Sequence, residues 1–285
     1  MGQFVVLGLI TGAIYSLFAL GIVLMYQTTG VVNVAYGAMG VLAAYAFQAL
    51  SDHLATGVAF FAVLGLSVIF GAMLGGITLP ARFASVATKS VAALGLFVAV
   101  PAIVAVAWGT DIKPTPFLTR TTAFTFSGVV VTTQQAITFM LALGAAGAIY
   151  ALFRCGPLGS ALRAVAADVR TSQLIGLPVK RLWVVSWSIA SFGAGLAAML
   201  VIPTTSMSIH ALTFVVLTPL AAALAAQLRY AGVALGAAMV AGLTEGVLAK
   251  DADWSTYRGL VPLTVALVGT SLTRSSSFAN KWERV

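Results

Sequence analysis

Apolar residues fill this chain in long blocks separated by short clusters of glycine, proline, threonine and charge. No charged side chain precedes Asp52, none lies between Asp52 and Arg82 or between Arg120 and Arg154, and another charge-free run extends from Leu182 to Leu228. A helix needs about 20 apolar residues to cross a bilayer, so the runs 1–51 and 182–228 each hold two passes. Spans are predicted near 4–26, 33–50, 57–79, 90–108, 132–153, 183–202, 209–227, 231–249 and 258–273. The second and seventh are the weakest: Asn33, Tyr36 and Gly37 begin one, and Pro203 to His210 precede the other. Either can be broken or re-entrant where its backbone is buried in protein. The ~10-residue alternation of a membrane β-barrel is absent. The expected fold is therefore all-α: a single polytopic membrane domain, residues 1–285, of about nine transmembrane helices.

Composition sharpens this reading. Hydrophobic residues make up 60% of the 285 positions and charged residues 8%, against roughly 25% charged in a soluble domain. The 28 glycines suit close helix packing in lipid. The net charge of +8 suggests a nucleic-acid binder until the basic residues are mapped. Arg154, Arg163, Arg170, Lys180 and Arg181 crowd one loop, 154–182, against Asp168 alone. Taking that loop as cytoplasmic places Arg82, Lys89, Arg229, Arg274, Lys281 and Arg284 inside as well. Only Lys113, Arg120, Lys250 and Arg258 then fall outside, with Asp52, Asp111, Asp251 and Asp253. The N-terminus is expected outside and the C-terminus, with a tail 274–285, in the cytoplasm. The apolar N-terminus lacks a basic n-region and reads as a retained span. A single cysteine, Cys155, excludes a disulfide framework and reads as a small loop residue.

The external loop 109–131 carries Pro114 and Pro116, a Thr/Phe-rich run from Thr121 to Phe126, Ser127-Gly128, and Val129 to Val131. It reads as a short hairpin, serving either as a cap for a soluble partner or as a plain connector. Loop 154–182 is more informative. Gly156-Pro157 is a helix start, and Leu158, Ala161, Leu162, Val165 and Val169 form one apolar stripe, with Arg163 and Arg170 on another face. Gly176 and Pro178 stop the pattern. This short amphipathic helix either rests at the lipid interface or docks into a groove on a cytosolic partner.

Enzyme chemistry finds little support. No G-x-x-x-x-G-K-[ST] is present, Lys89-Ser90 lacking the glycine loop. His53 and His210 have no H-E-x-x-H context, and no cofactor or metal is expected. Glu245 is the one acid predicted within a span, which makes it a functional hypothesis by default. It lies in Gly242-Leu-Thr-Glu245-Gly246, on a face with a G-x-x-x-G pair; Gly232 and Gly236 form a second pair. Its structural reading is pairing with Lys250 or a backbone donor; its functional reading is a place on a translocation pathway.

Three segments resemble a known family, the branched-chain amino acid type of ABC-transporter permease. The opening Gly8-Leu-Ile-Thr-Gly12-Ala-Ile-Tyr15-Ser-Leu-Phe-Ala19-Leu-Gly21, followed by Met25-Tyr26, looks like the family's first span. Gly30-Val-Val-Asn33-Val-Ala35-Tyr36-Gly37, continuing to Ala43-Ala44-Tyr45, resembles its G-x-x-N-F-A-H-G signature and following G-A-Y. Leu158-Gly159-Ser-Ala-Leu162-Arg163-Ala164-Val-Ala-Ala-Asp168, then Leu174-Ile175-Gly176-Leu177, is similar to its cytoplasmic coupling segment. Val34 and Tyr36 replace the usual Phe and His, and Ala222 to Gly232 lacks the usual glycine-glycine-rich turn.

The resemblance implies the shorter permease chain of a heterodimer, with a second permease, two cytosolic ATP-binding subunits and an extracytoplasmic solute-binding protein as partners. It places the chain in the bacterial inner membrane, importing branched-chain or related small amino acids. Urea, short amides, aromatic acids, sugars or nucleosides are the alternatives within the same architecture. It implies coupling to the ATPase through Leu162, Arg163, Ala164, Asp168, Arg170 and Gly176. Asn33, Tyr36 and Glu245, with the polar cluster Thr204–Ser208, are the candidates to line the pathway. The competing classes are an ATP-independent secondary transporter, marked by broken helices, and a purely structural membrane subunit.

Overall fold

A computed structural model describes residues 2–80, 85–116, 122–126, 129–205, 207–250 and 259–282. Arg82, Arg120, Thr121, the Ser127-Gly128 turn, Ser206, Asp251, Asp253, Arg258 and Arg284 lie outside the described residues.

All nine predicted apolar segments are helical. Among the described residues, six helices are long and apolar enough to cross a membrane. These are α1 (Gly2–Thr29), α3 (Thr56–Ile77), α4 (Val86–Trp108), α5 (Thr133–Cys155), α8 (Val179–Val201) and α11 (Ala231–Leu248). The second segment forms α2 (Ala35–Ser51), a single unbroken helix of 17 residues. The seventh is broken into α9 (Ile209–Phe214) and α10 (Leu217–Ala225). Pro219 lies in the first turn of α10 and has no N–H to give the carbonyl of Val215, so the helix steps there. The ninth, α12, runs Val261–Trp282. The stretch expected as a tail from residue 274 thus continues the last helix, because no Gly or Pro stops it between 274 and 282.

The chain turns large apolar side chains outward. Phe61, Ile69 and Met73 on α3 and Val91, Val98 and Val106 on α4 are all exposed, as expected of surfaces that face lipid acyl chains. The interior instead is built on α2, which has no exposed residue from Ala35 to Ser51 and packs against α3, α4, α8 and α9. Its entry follows from the Gly30 signature. Gly30 stands just past α1 at φ +71°, donating its N–H to the Tyr26 carbonyl at 2.8 Å, a left-handed helix stop that favours glycine. Asn33 then accepts the Ala35 N–H on its side-chain oxygen at 3.0 Å and opens α2.

Small residues set the helix crossings. On α11, a Cβ at Gly246 would meet Gly8 Cα at 2.5 Å and the Phe4 carbonyl at 2.6 Å, and one at Gly242 would strike the backbone of Gly12. The Gly242/Gly246 pair therefore meets Gly8/Gly12 of α1 face to face. The expected second pair does not form a crossing: nothing lies within 4 Å of a Cβ at Gly236, and only the Tyr150 hydroxyl at 3.7 Å approaches Gly232. A crossing not foreseen joins α3 to α8, where a Cβ at Gly71 would meet the Trp187 carbonyl at 2.6 Å and one at Gly75 the Val184 Cα at 3.0 Å.

Loop 109–131 contains the expected hairpin. β1 (Thr122–Phe126) and β2 (Val129–Thr132) pair antiparallel, with Phe126 opposite Val129. Gln3 bonds the Val130 backbone in both directions, at 3.2 and 3.4 Å, and Lys113 N–H donates to the Met207 carbonyl at 3.2 Å. At the opposite end, Gln27 donates to the Arg229 carbonyl at 2.8 Å and Trp183 Nε1 to Thr78 Oγ1 at 3.2 Å. These contacts sort the loops into the two groups that alternating spans require. The turn between α10 and α11 holds Gln227 and Leu228 at φ +53° and +56°. This is where the family resemblance leads one to expect glycines, and each residue bears a left-handed strain of roughly 1–2 kcal/mol.

Candidate functional site: an outer cavity and a cytoplasmic helical hairpin

A cavity of about 1010 Å³ opens at the end of the molecule that carries the hairpin. Helix α1 contributes Leu7, Ile10, Thr11 and Tyr15, all on one helical face. Gln134, Gln135 and Thr138 enter from the first turns of α5, whose start is fixed by a capping box. Thr132 Oγ1 accepts the Gln135 N–H at 3.3 Å, and Gln135 Oε1 accepts the Thr132 N–H at 3.0 Å. Leu200 and Val201 end α8, where Pro203 turns the chain through one 3-10 turn, Ile202–Thr204, and leaves Thr204 and Thr205 on the wall.

Glu245 projects from α11 into this cavity. One carboxylate oxygen accepts the Tyr15 hydroxyl at 2.7 Å and the other the Thr218 hydroxyl at 2.9 Å. The acid thus ties α1 to the first turn of α10 and to α11. Sequence reasoning located Glu245 and the Thr204 cluster but neither Tyr15 nor Thr218, which lie 230 and 27 positions away.

A second cavity, about 460 Å³, lies at the other end, bounded by Leu20, Leu24 and Gln27 of α1, Tyr150 and Arg154 of α5, and Arg163 and Arg229. The two lie at opposite ends of the same three helices, α1, α5 and α11. Between them the Ser16 hydroxyl approaches the carbonyls of Gly12 at 2.8 Å and of Leu235 at 3.1 Å, and Ala142 and Ala146 of α5 are buried.

The other two pathway candidates are placed elsewhere. Tyr36 is fully buried with its ring edge-on to Phe18, centroids 5.8 Å apart, and its hydroxyl has no hydrogen-bond partner among the described residues. Asn33 is buried and holds the α2 entry, bordering only a void of about 30 Å³. Both stand in the core of this chain: Gly21 and Gly193, lacking side chains, leave the slot that Tyr36 fills.

On the side of the basic loop, the amphipathic helix is present as α6 (Pro157–Ala167), followed by α7 (Val169–Leu174). Its apolar stripe faces the chain's own helices. Leu162 and Val165 are buried because α6 packs on α1, α5 and α8 of its own bundle. Leu162 anchors the helix to its own bundle. Arg163 donates to the Phe153 carbonyl at 2.6 Å, closing the end of α5, where a cation suits the helix dipole. The pattern does not run through to Val169 as one helix. Asp168 adopts an extended conformation, ends α6 and caps α7, accepting the Arg170 N–H at 2.8 Å and the Thr171 hydroxyl at 2.6 Å. Arg163 and Arg170 accordingly belong to separate helices. Gly176, at φ +85°, turns the chain toward α8. What this hairpin offers outward is Arg170, Leu174 and Ile175, all exposed, with Leu174 87% accessible.

The Thr171 hydroxyl, followed by the N–H groups of Arg170 and Thr171, holds the Asp168 carboxyl below its usual range. A carboxyl depressed in the folded state lends stability above its unfolded value, about 3.9, and loses it as pH falls through the lower folded value. Hydrogen exchange corrected for intrinsic rates is expected to show amides 170–172 equally protected from pH 7 to about pH 5 and progressively exposed below about pH 4. Asp168→Asn, which keeps a capping oxygen without the titration, flattens that dependence. An unchanged pH profile in the variant would remove Asp168 as its cause.

Comparison with known proteins decides the family. A family model described as the permease component of the branched-chain amino acid transport system matches residues 4–268. The chain belongs to this family. No curated protein and no solved structure matches it. Membership in a family of transport permeases, together with six helices able to cross a bilayer, makes it a multi-pass membrane component of a transport system. As one component, it works with partner subunits.

Proposed function

We propose that this permease is a translocation subunit of an ATP-driven importer for branched-chain or related small amino acids. A second permease chain completes the membrane part, two cytosolic ATP-binding subunits drive it, and an extracytoplasmic binding protein delivers the solute. The chain itself carries out no chemistry. It sits in the bacterial inner membrane with its N-terminus outside and its C-terminus in the cytoplasm, in line with the excess of Lys and Arg at the end that holds α6 and α7.

The observation that carries this reading is the seating of α6. Its apolar face is locked to α1, α5 and α8, three helices whose opposite ends line the outer cavity. A push on Arg170, Leu174 and Ile175 from a closing ATPase dimer is therefore transmitted to the cavity through packed helices, which respond as bodies rather than by soft deformation. ATP binding then shifts the population from a form open at the outer cavity to one open at the inner.

Arg170→Glu combined with Leu174→Asp tests this, since both side chains are exposed and neither seats the hairpin. Leucine uptake by the reconstituted assembly is expected to fall at least tenfold, with the amount of inserted chain unchanged. Uptake at the original rate would defeat the coupling role.

A further inference from the structure

Three arginines from three elements converge on the inner cavity of about 460 Å³: Arg154 ends α5, Arg163 stands on α6 and Arg229 precedes α11. All three are exposed, and no aspartate or glutamate stands among the described residues that line the cavity. Their hydrogen bonds go to neutral groups. Arg154 donates to the Tyr150 hydroxyl, and Arg163 to the Phe153 carbonyl at 2.6 Å and to Ser160 Oγ at 3.3 Å. A guanidinium carries five N–H donors in a fork that matches phosphate, so these contacts use only part of each. Gathering three like charges is unfavourable until an anion lies among them.

The same cavity is apolar away from the arginines, where Leu20, Leu24, Ile149 and Val233 form its walls. Gly232 leaves one wall open, since a Cβ there would meet only the Tyr150 hydroxyl at 3.7 Å. Val233 and Val240, one above the other on α11 and both exposed, carry the apolar surface onward along the outside of the bundle. Depth matters as well. Gln27 lies two residues from the end of α1 at Thr29, and Leu20 is about 10 Å further in along the helix. A bilayer's headgroup layer is roughly 5–8 Å deep on each side, so the cavity reaches from headgroup depth into the upper acyl chains. Tyr150 and Tyr230 also line it, a residue type that favours this boundary.

We propose that the inner cavity seats an anionic phospholipid of the adjoining leaflet, with its phosphate among Arg154, Arg163 and Arg229 and one acyl chain starting along Leu20, Leu24 and Val233. Basic pockets between membrane helices select anionic headgroups in this way. A free phosphate or an acidic protein segment meets the arginines but leaves the deeper apolar walls uncovered. A neutral lipid covers the walls but brings its own cation to the arginines. The seated lipid joins α5, α6 and the turn before α11 through one phosphate. The inference is independent of which solute crosses and of what drives it.

The test uses the full chain with its co-purifying subunits, without nucleotide, in phosphatidylcholine vesicles containing a minor share of photoreactive phosphatidylglycerol. The photoreactive group sits near the headgroup end of an acyl chain, and adducts are mapped by mass spectrometry. They are expected on residues 149–154 and 230–233. In Arg154→Gln with Arg229→Gln, which leaves Arg163 to seat α6, their yield should fall about tenfold or more. Arg154→Lys with Arg229→Lys restores most of it. Gly232→Leu, which fills the apolar wall and keeps every charge, lowers the yield as well. No adduct at these residues in the wild type overturns the proposal, whether a partner chain or free phosphate fills the cavity instead. Equal labelling by photoreactive phosphatidylcholine overturns it too, since the groove then takes any acyl chain. So does an unchanged yield in the glutamine pair. If that pair melts below the wild type in phosphatidylcholine alone, Gly232→Leu decides, and unchanged labelling there overturns the proposal.

Discussion

Gly242→Val is expected to destabilise the permease by about 3 kcal/mol, the upper end of what overpacking usually costs. The reason is where the new methyl groups must go. A Cβ at Gly242 already runs into the nitrogen and Cα of Gly12, and the Gly8 carbonyl lies 2.9 Å away. These are backbone atoms, so no rotamer change relieves the contact. α1 and α11 have to move apart, and the separation propagates to the Tyr15–Glu245 hydrogen bond near that crossing. Gly236→Val is the control, on the same helix and with the same chemistry, where nothing stands within 4 Å. It should change stability by less than about 1 kcal/mol, within the spread of helix propensities. Thermal midpoints in detergent, read from the monodisperse peak after heating, check both. The expected difference is roughly 6–12 °C; equal midpoints would show that the α1–α11 crossing is not held by Gly242.

The second large effect lies in the core. Gly21→Ala places a methyl group inside the Tyr36 ring, against its hydroxyl and Cζ and 2.7 Å from Cε2. Tyr36 is fully enclosed and its hydroxyl lies close to Gly193 as well, where an added Cβ would sit 2.8 Å from it. A loss of about 3 kcal/mol is expected for Gly21→Ala alone. Combined with Tyr36→Leu the two costs should fall short of their sum by about 2 kcal/mol, as for residues sharing one space. Additive midpoints would show that the two positions do not compete. Tyr36→Phe alone should gain about 1 kcal/mol, since it removes a buried hydroxyl without a hydrogen-bond partner among the described residues.

The long helices were legible because lipid imposes a single rule, a run of about twenty apolar residues, whereas the second passes expected in 1–51 and 182–228 are the shorter α2 and the broken α9–α10. The hairpin was legible from Thr/Phe alternation around Ser127-Gly128. Patterns that depend on a neighbour were not. Gly232/Gly236 and Gly242/Gly246 read alike in sequence, and only the approach of Gly8 and Gly12 distinguishes them. The apolar stripe of α6 declares that it will be covered, yet its spacing is silent on whether lipid, a partner or its own bundle does the covering. Likewise Asn33-Val-Ala-Tyr36 stands out as polar in an apolar run, which suits a pathway wall and a sealed core equally well. Glu245 was visible as a lone acid, whereas Tyr15 and Thr218 are ordinary residues until the fold brings their hydroxyls to it. The break before Pro219 was half legible: the seventh segment reads as weak because Pro203 to His210 precede it, while Pro219 was not singled out.

The inward placement of α2, with no exposed residue along its length, bears on how the protein is made. α2 leaves the ribosome second, yet one of its main walls is α8, which begins only at Val179, about 130 residues later. At roughly 5–20 residues per second that is an interval of about 6–26 seconds. During it the small-residue face of α2, including Gly40, where an added Cβ would lie 3.0 Å from Ala198 of α8, has no permanent cover. A helix of 17 residues with none exposed in the finished fold has to be held by the insertion machinery or by loosely packed early helices until α8 arrives. Assembly of the permease is therefore paced by the synthesis of α8, and a chain halted before Val179 is expected to be a preferred target of membrane quality control.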